Sequence, residues 1–388
     1  MALKYHRQPA KTIYVLYELV CTVFVKIPLW SLLAMPRSWR PIPSRSFTRT
    51  MSIHLLRHLI DSLDRIGGLN EPTHENLEGD DGTWINPAPD LIVGDLKTWA
   101  SIASIEPIRI PGYFFFPHKV SNSASQSQKV VYSLHGGSYI MCSAHPSSEN
   151  ANIPRALLKE TDSRIKFVFA LEYRLSKTYP LEPANPFPAA LVDAIAGYNF
   201  LVKERGILPA DIIVEGDSAG GNLALALTRY LIENEVPGLA PPGGLLLLSP
   251  WCDIGTSHDV DPSSITILKA DIDPEPCGMD YAKAAFLGPH GMGAADTNPY
   301  ISPGSRHPSM NPSFKGFPKT LICAGETENL LPQIKVLRDR MVKDLGEGDV
   351  WYYEGKDEPH DYLALPWISV TKDETLREIS RWIKVCLV

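Results

Sequence analysis

Gly216-Asp217-Ser218-Ala219-Gly220 is the stretch whose residue types and spacing point most directly to chemistry. It sits between a short apolar run, Asp211 to Glu215, and a helical pattern that continues from Ala219 to Glu233. A serine on so sharp a strand-to-helix corner presents its hydroxyl as a nucleophile. The backbone at such a corner is strained and crowded. Side chains at Gly216 or Gly220 are therefore expected to collide with the neighbouring strand or helix. The start of the helix adds unsatisfied N–H groups and a positive dipole end where an anion would form beside Ser218 Oγ. The bare pattern is common and would also suit a serine that only caps a helix. Its place between strand and helix makes it informative.

A nucleophilic serine needs an oxyanion site, a base and an acid. Lys129 to Leu134 is a buried strand pattern running into His135-Gly136-Gly137-Ser138-Tyr139. Two successive glycines let a chain turn its N–H groups inward, and one oxyanion donor is typically worth about 10²–10³ in rate. Gly136 and Gly137 are thus the expected donors, while His135 is expected to hold the loop by hydrogen bonds. Lys319 to Ala324 is another buried strand, followed by Gly325-Glu326-Thr327-Glu328-Asn329-Leu330. An acid belongs at the carboxyl end of such a strand, and both Glu326 and Glu328 stand there. The last strand, Trp351 to Glu354, leads into Glu358-Pro359-His360-Asp361-Tyr362. Of eleven histidines only His360 follows the predicted final strand. It lies one helix and one strand beyond Glu328, in the chain order serine, acid, histidine, so all three can meet.

These segments resemble the hormone-sensitive-lipase family of α/β-hydrolases, which includes arylacetamide and steryl deacetylases. The family's H-G-G-G appears here as His135-Gly136-Gly137-Ser138, with serine at the third glycine. Tyr173-Arg174-Leu175 and Pro186-Phe187-Pro188-Ala189-Ala190-Leu191-Val192-Asp193 match two further family phrases, and the likeness covers residues 105–365. The resemblance implies a mostly parallel eight-stranded sheet flanked by helices, with a helical cap. It implies a Ser218-His360-Glu328 triad, because the family's acid precedes a leucine by two residues, as Glu328 precedes Leu330. It also implies a third oxyanion donor at the N–H of Ala219. His135, Ser138 and Asp217 are left as structural members of the motifs. The implied reaction is hydrolysis of short-acyl esters, acetates among them, of a hydrophobic alcohol such as a sterol or secondary metabolite, with no cofactor and no metal. Three alternatives use the same residues: amide hydrolysis, acyl transfer to an alcohol, and non-catalytic binding. The plant gibberellin receptor is a binder of this kind and has lost its histidine, which this chain retains.

The elements that must position these groups fit the rest of the chain. With 388 residues, 44% of them hydrophobic, it can bury a large core. The expected division is a helical cap or membrane-associating arm at 1–100 and a catalytic domain at 101–388, with a cap insertion at 252–316. Residues 1–70 hold ten Lys or Arg against Glu18, Asp61 and Asp64, on a chain whose overall charge is −7. A basic arm without any recognition motif points to anionic membrane, through residues 1–50, and away from nucleic acid. Thr12 to Met35 is long and apolar enough to cross a bilayer, but Glu18, Lys26 and Pro28 interrupt it. Tyr14, Glu18, Thr22 and Lys26 form one polar stripe. An interfacial helix, a cap over the site and a true span all remain open. The six cysteines show no C-x-x-C pair, which suggests reduced or buried thiols. The expected setting is intracellular, with membrane association at the endoplasmic reticulum.

Several further elements are legible. Helices are expected at Ser52–Ile66, Ser147–Glu160, 280–287 and 372–386, and a strand at Ile165–Leu171. Leu245 to Trp251 reads as a buried strand. Ile105 to Phe116 reads as a pair of antiparallel strands or a bent hairpin, and residues 70–100 and 121–128 as loops. Trp251 and Phe286 are expected to wall the substrate pocket. His258, His290 and His307 are expected at the surface.

Overall fold

Eight strands build one sheet in the order β1-β2-β4-β3-β5-β6-β7-β8. They are β1 (Gly82–Ile85), β2 (Ile110–Phe115), β3 (Lys129–Leu134), β4 (Ile165–Leu171), β5 (Ile212–Asp217), β6 (Gly244–Leu248), β7 (Lys319–Gly325) and β8 (Val350–Gly355). The structure is a computed structural model, and it describes residues 3–67, 77, 81–117, 129–161, 164–259, 270–272, 279–365, 367 and 369–386. β1 and β2 run antiparallel to their neighbours, and the other pairings are parallel.

The central strands are mostly apolar because both faces of the sheet are covered, with Ser133, Glu215 and Thr320 as buried polar exceptions. Val130, Tyr132 and Leu134 of β3 enter one core layer and Val131 the other. Leu245 and Leu247 of β6 divide from Leu246 and Leu248 in the same way. Helices α4 (Gly94–Ile102), α6 (Ala189–Asn199), α7 (Ala219–Glu233) and α10 (Leu331–Leu345) fill the first layer. Helices α5 (Asn152–Glu160) and α11 (Val370–Cys386) fill the second, with α3 (Phe47–Ile66) contributing Ile53. β3, β5, β6, β7 and β8 are successive neighbours, all parallel, so their carboxyl ends open along one edge. His135, Ser218, Ser249, Glu328 and His360 all follow those ends.

Three expectations change. Residues 82–102 are not a connecting loop: they supply edge strand β1 and helix α4. The boundary at 100 is therefore too late, because the sheet has already begun at Gly82. Ile105–Phe116 yields one strand rather than two, and its antiparallel partners are β1 and β4. Helix α8 (Asp280–Leu287) stands where expected, but a second short helix, α9 (Gly291–Thr297), follows it. The 121–128 loop lies outside the described residues.

The N-terminal arm folds as a hairpin. α1 (Ala10–Cys21) passes through a π-helical turn, Thr22–Lys26, into α2 (Ile27–Ala34). Pro28 has no N–H to continue an α-helical ladder. The Ile27 N–H instead reaches Thr22 O, five residues back, and the helix continues through the widened turn. α3 starts at a Ser46 cap and ends at Gly67, whose φ of +84° favours glycine.

Candidate active site

Ser218 adopts φ +50° and ψ −115° between β5 and α7. A residue other than glycine in this region stores about 1–3 kcal/mol of strain, and the surroundings hold it there. Its N–H donates to Leu248 O at 2.9 Å, and its carbonyl accepts from Trp251 N–H at 2.9 Å. The flanking glycines are obligatory. A Cβ on Gly216 would lie 2.2 Å from Gly220 O, and one on Gly220 would lie 1.8 Å from Leu134 O.

His360 Nε2 lies 3.0 Å from Ser218 Oγ, and its Nδ1 lies 2.9 Å from Glu328 Oε2. A tautomer with its proton on Nδ1 satisfies both contacts, leaving Nε2 to accept from the serine hydroxyl. Glu328 is wholly buried, while Ser218 and His360 are 5% and 6% exposed. Of the two candidate acids, Glu328 is the one placed against His360. Glu326 is exposed and accepts the Asp357 N–H at 2.8 Å. Burial raises the Glu328 carboxyl and outweighs the opposing contact with His360, leaving it at about 7.

The oxyanion loop departs from expectation at one residue. The Gly136 N–H donates to Asp217 Oδ2 at 2.9 Å, so it is already committed. A Cβ there would lie 2.3 Å from the same oxygen. Asp217 thus ties the loop to the serine corner, a structural task. Burial, with Asp361 and Glu215 nearby, raises its carboxyl well above the usual range. Among the described residues, no acceptor takes the N–H of Gly137, Ser138 or Ala219. Gly137 has φ +106°, and a Cβ on it would strike Met141 O at 2.2 Å. Ser138 and Tyr139 follow at φ +54° and +63°, two strained residues in succession.

Side chains within and beyond these motifs hold this geometry. The Tyr139 hydroxyl donates to Asn222 Oδ1 at 2.8 Å, and Asn222 Nδ2 donates to the carbonyls of Trp251 and Ile301. Asn222 lies one turn beyond Ser218 on α7, so it couples the oxyanion loop to the nucleophile corner. His135 is buried, stacks on Tyr173 at 4.2 Å and places Nδ1 2.7 Å from Gly136 O. Phe286 stacks on Tyr139 at 4.1 Å and braces the loop. Trp251 is buried in the core and acts on the site through its backbone N–H, so it does not wall an open pocket.

Asp271, which sequence reasoning passed over, is fully buried and clamps both catalytic loops. Its Oδ1 accepts the His360 N–H at 2.8 Å, and its Oδ2 accepts the Asn329 N–H at 2.7 Å. Arg45 from the arm reaches the same place, donating to Ala270 O and Thr327 Oγ1. A carboxylate within a proline- and glycine-rich insertion has no local pattern to reveal such a task. Asp361 also enters the site, with Oδ2 3.2 Å from His360 Nε2.

Other polar groups stand apart. His258 is not at the surface: it is buried with Nδ1 2.8 Å from Asp253 Oδ2. Among the described residues no cluster of His, Cys, Asp or Glu could hold a metal ion. A cavity of about 710 Å³ opens between Lys177, Pro186, Leu287 and Met292, but none of the triad residues lines it. Chemistry rather than volume therefore locates the site.

The comparisons with known proteins bear on the family and the fold. A family model described as the α/β-hydrolase fold matches residues 130–364. An esterase of Acinetobacter venetianus is 31% identical over 237 residues, covering 61% of this chain and 68% of that protein. An acetyl-hydrolase of Streptomyces hygroscopicus is 31% identical over 226 residues, 57% of this chain and 64% of the other. A solved hormone-sensitive lipase from a metagenome library has a TM-score of 0.57 at 27% identity, covering 71% of this chain and 82% of that one. The chain belongs to the hormone-sensitive-lipase-like family of α/β-hydrolases, and it is a carboxylic ester hydrolase.

Proposed function

We propose that the chain hydrolyses short-acyl esters of a hydrophobic alcohol, with Ser218 as nucleophile, His360 as general base and Glu328 as its orienting acid. The observation that carries this reading is the continuous contact Ser218 Oγ–His360 Nε2–Glu328, at 3.0 and 2.9 Å. His360 takes the serine proton as Oγ attacks the ester carbonyl, and Glu328 steadies the imidazolium that forms. The N–H groups of Gly137, Ser138 and Ala219 receive the oxyanion, with Ser138 in the place first expected of Gly136. Collapse of the tetrahedral intermediate expels the alcohol, which takes its proton from His360. Water activated by the same histidine then cleaves the acyl-enzyme and restores the serine.

Support for a short acyl group comes from the near-complete burial of Ser218 and His360, and from the likeness to an acetyl-hydrolase. The half-buried Met279, whose sulfur lies 3.9 Å from Ser138 Oγ beside the oxyanion loop, favours an apolar alcohol. The test is hydrolysis of a p-nitrophenyl ester series from acetate upward. Wild type should prefer the shortest esters, and Ser218→Ala should lower kcat by about 10⁴–10⁶. Wild type no faster than Ser218→Ala would refute the chemistry. A preference for long chains would refute the substrate class.

A further inference from the structure

The N-terminal hairpin leaves a large apolar surface uncovered. Ile13, Leu16, Leu19, Val20, Phe24 and Leu32 are between 56% and 74% exposed, on a helical run of 25 residues from Ala10 to Ala34. The polar stripe that interrupts this run does not share that surface. Lys26 Nζ lies 2.6 Å from Glu18 Oε2, and His58 Nε2 of α3 lies 2.8 Å from Thr22 Oγ1 and 3.3 Å from Glu18 Oε2. The charges are thus paired with one another on the side that faces α3. What points away from the protein is apolar apart from Thr12 and Tyr17. Lys4 and Arg7 stand exposed at one end of the run and Arg37 at the other, with Trp39 65% exposed beside it.

The packing of α3 decides how such a surface can meet lipid. α3 runs antiparallel to the whole α1–α2 rod. Ser31 meets Met51, Trp30 stacks on His54, Thr22 meets His58, and the N–H groups of Leu3 and Tyr5 donate to the carbonyls of Asp64 and Arg65. From its other side α3 buries Ile53 in the core of the sheet domain, with Leu56 and Ile60 packed against the same layer. The rod is therefore strapped lengthwise to α3, and α3 to the domain. Driving the rod across a bilayer would carry Arg57, Asp61 and the flank of the folded domain into hydrocarbon, at several kcal/mol for each charge. Lying flat, the rod would bury only its outer face.

We propose that the Ala10–Ala34 rod seats the enzyme in one leaflet of an anionic phospholipid membrane, parallel to its surface, without crossing it. Leu16, Phe24 and Leu32 enter the acyl boundary, while Lys4, Arg7 and Arg37 contact acidic headgroups and Tyr17 and Trp39 sit at headgroup level. Arg45 and Arg49 join this platform to the catalytic loops. Arg45 bonds to Thr327 and to the carbonyls of Ala270 and Asp357, and Arg49 pairs with Glu358. The site is thereby held at a constant position relative to the membrane, which suits esters dissolved in lipid; that last point rests on the proposed function, but the membrane contact does not.

The test uses the full chain, floated with vesicles of phosphatidylcholine alone or with added phosphatidylserine, and no ester. The wild type should float, more completely with phosphatidylserine and less completely at high salt. The double variant Leu16→Asp/Phe24→Asp should lose at least a hundredfold in partition, with its hydrolysis of p-nitrophenyl acetate unchanged. Because partition is read without catalysis, a failed esterase assay leaves this result standing. Trypsin added outside the vesicles should cut at both Lys4–Lys11 and Arg37. Protection of one end means that the rod spans the bilayer and overturns the proposal. Failure of the wild type to float also overturns it, whether or not the same double variant dissociates a dimer formed through this face.

Discussion

Replacing Asp271 by asparagine tests whether the two catalytic loops are held together by one carboxylate. Asp271 accepts three backbone N–H groups: those of His360 and Ile272 on Oδ1, at 2.8 and 2.7 Å, and that of Asn329 on Oδ2, at 2.7 Å. An asparagine of the same shape must turn its NH₂ toward one of these two sides. A buried donor then faces another donor, which costs about 1–3 kcal/mol. The remaining bonds lose their charge assistance, which roughly halves their strength. Asp271→Asn should therefore destabilise the fold by about 2–4 kcal/mol in urea unfolding. Its effect on catalysis is separate. Asn329 adjoins Glu328, and the other clamped N–H belongs to His360, so slack in either loop misaligns the Ser218–His360–Glu328 contacts. A misplacement of about 1 Å costs on the order of 10²-fold in rate. With p-nitrophenyl acetate, well below the variant's unfolding temperature, kcat should fall about 10–100-fold with KM nearly unchanged. If stability drops while kcat stays within about twofold, Asp271 only supports the fold and the clamp argument is wrong.

Two further outcomes follow from the site. Burial raises the Glu328 carboxyl from its ordinary 4.5 to about 7, so acidification through that range protonates it and removes the acceptor that orients His360. The acid limb of kcat/KM should accordingly centre near pH 7, and a limb below about 5.5 would show that Glu328 stays ionised. The stability contribution has the opposite slope. A carboxyl whose folded value is raised binds its proton more tightly when folded, so stability declines as pH rises from about 4.5 through about 7, and Glu328→Gln should flatten that decline in thermal melts. At the oxyanion loop, Gly137→Ala places a Cβ at φ +106° and 2.2 Å from Met141 O. It should cost about 10²–10³ in kcat. Gly293→Ala, with nothing within 4 Å of its Cβ position, should leave kcat unchanged.

The sequence by itself was enough for whatever depends on neighbours along the chain. The serine corner is legible because Gly216, Ser218 and Gly220 answer a local steric demand, and α7 begins and ends where its pattern places it. The same holds for β3, β4 and α8, whose apolar runs match their burial. β1 was missed because four residues, Gly82 to Ile85, show no alternation of their own and become a strand only by pairing with β2.

Tertiary structure decided what depends on partners distant in sequence. Glu326 and Glu328 end the same strand two residues apart, and only the approach of the loop after β8 places one of them on His360. Gly136 and Gly137 look alike as oxyanion donors until Asp217, from the next strand, occupies the first. Glu18 and Lys26 argue against a lipid-facing helix until α3 shows that they are paired with each other on its covered side. In each case the chemical capacity is a property of the residue. Whether it remains available depends on which hydrogen-bond partner or charge the fold brings within about 3 Å.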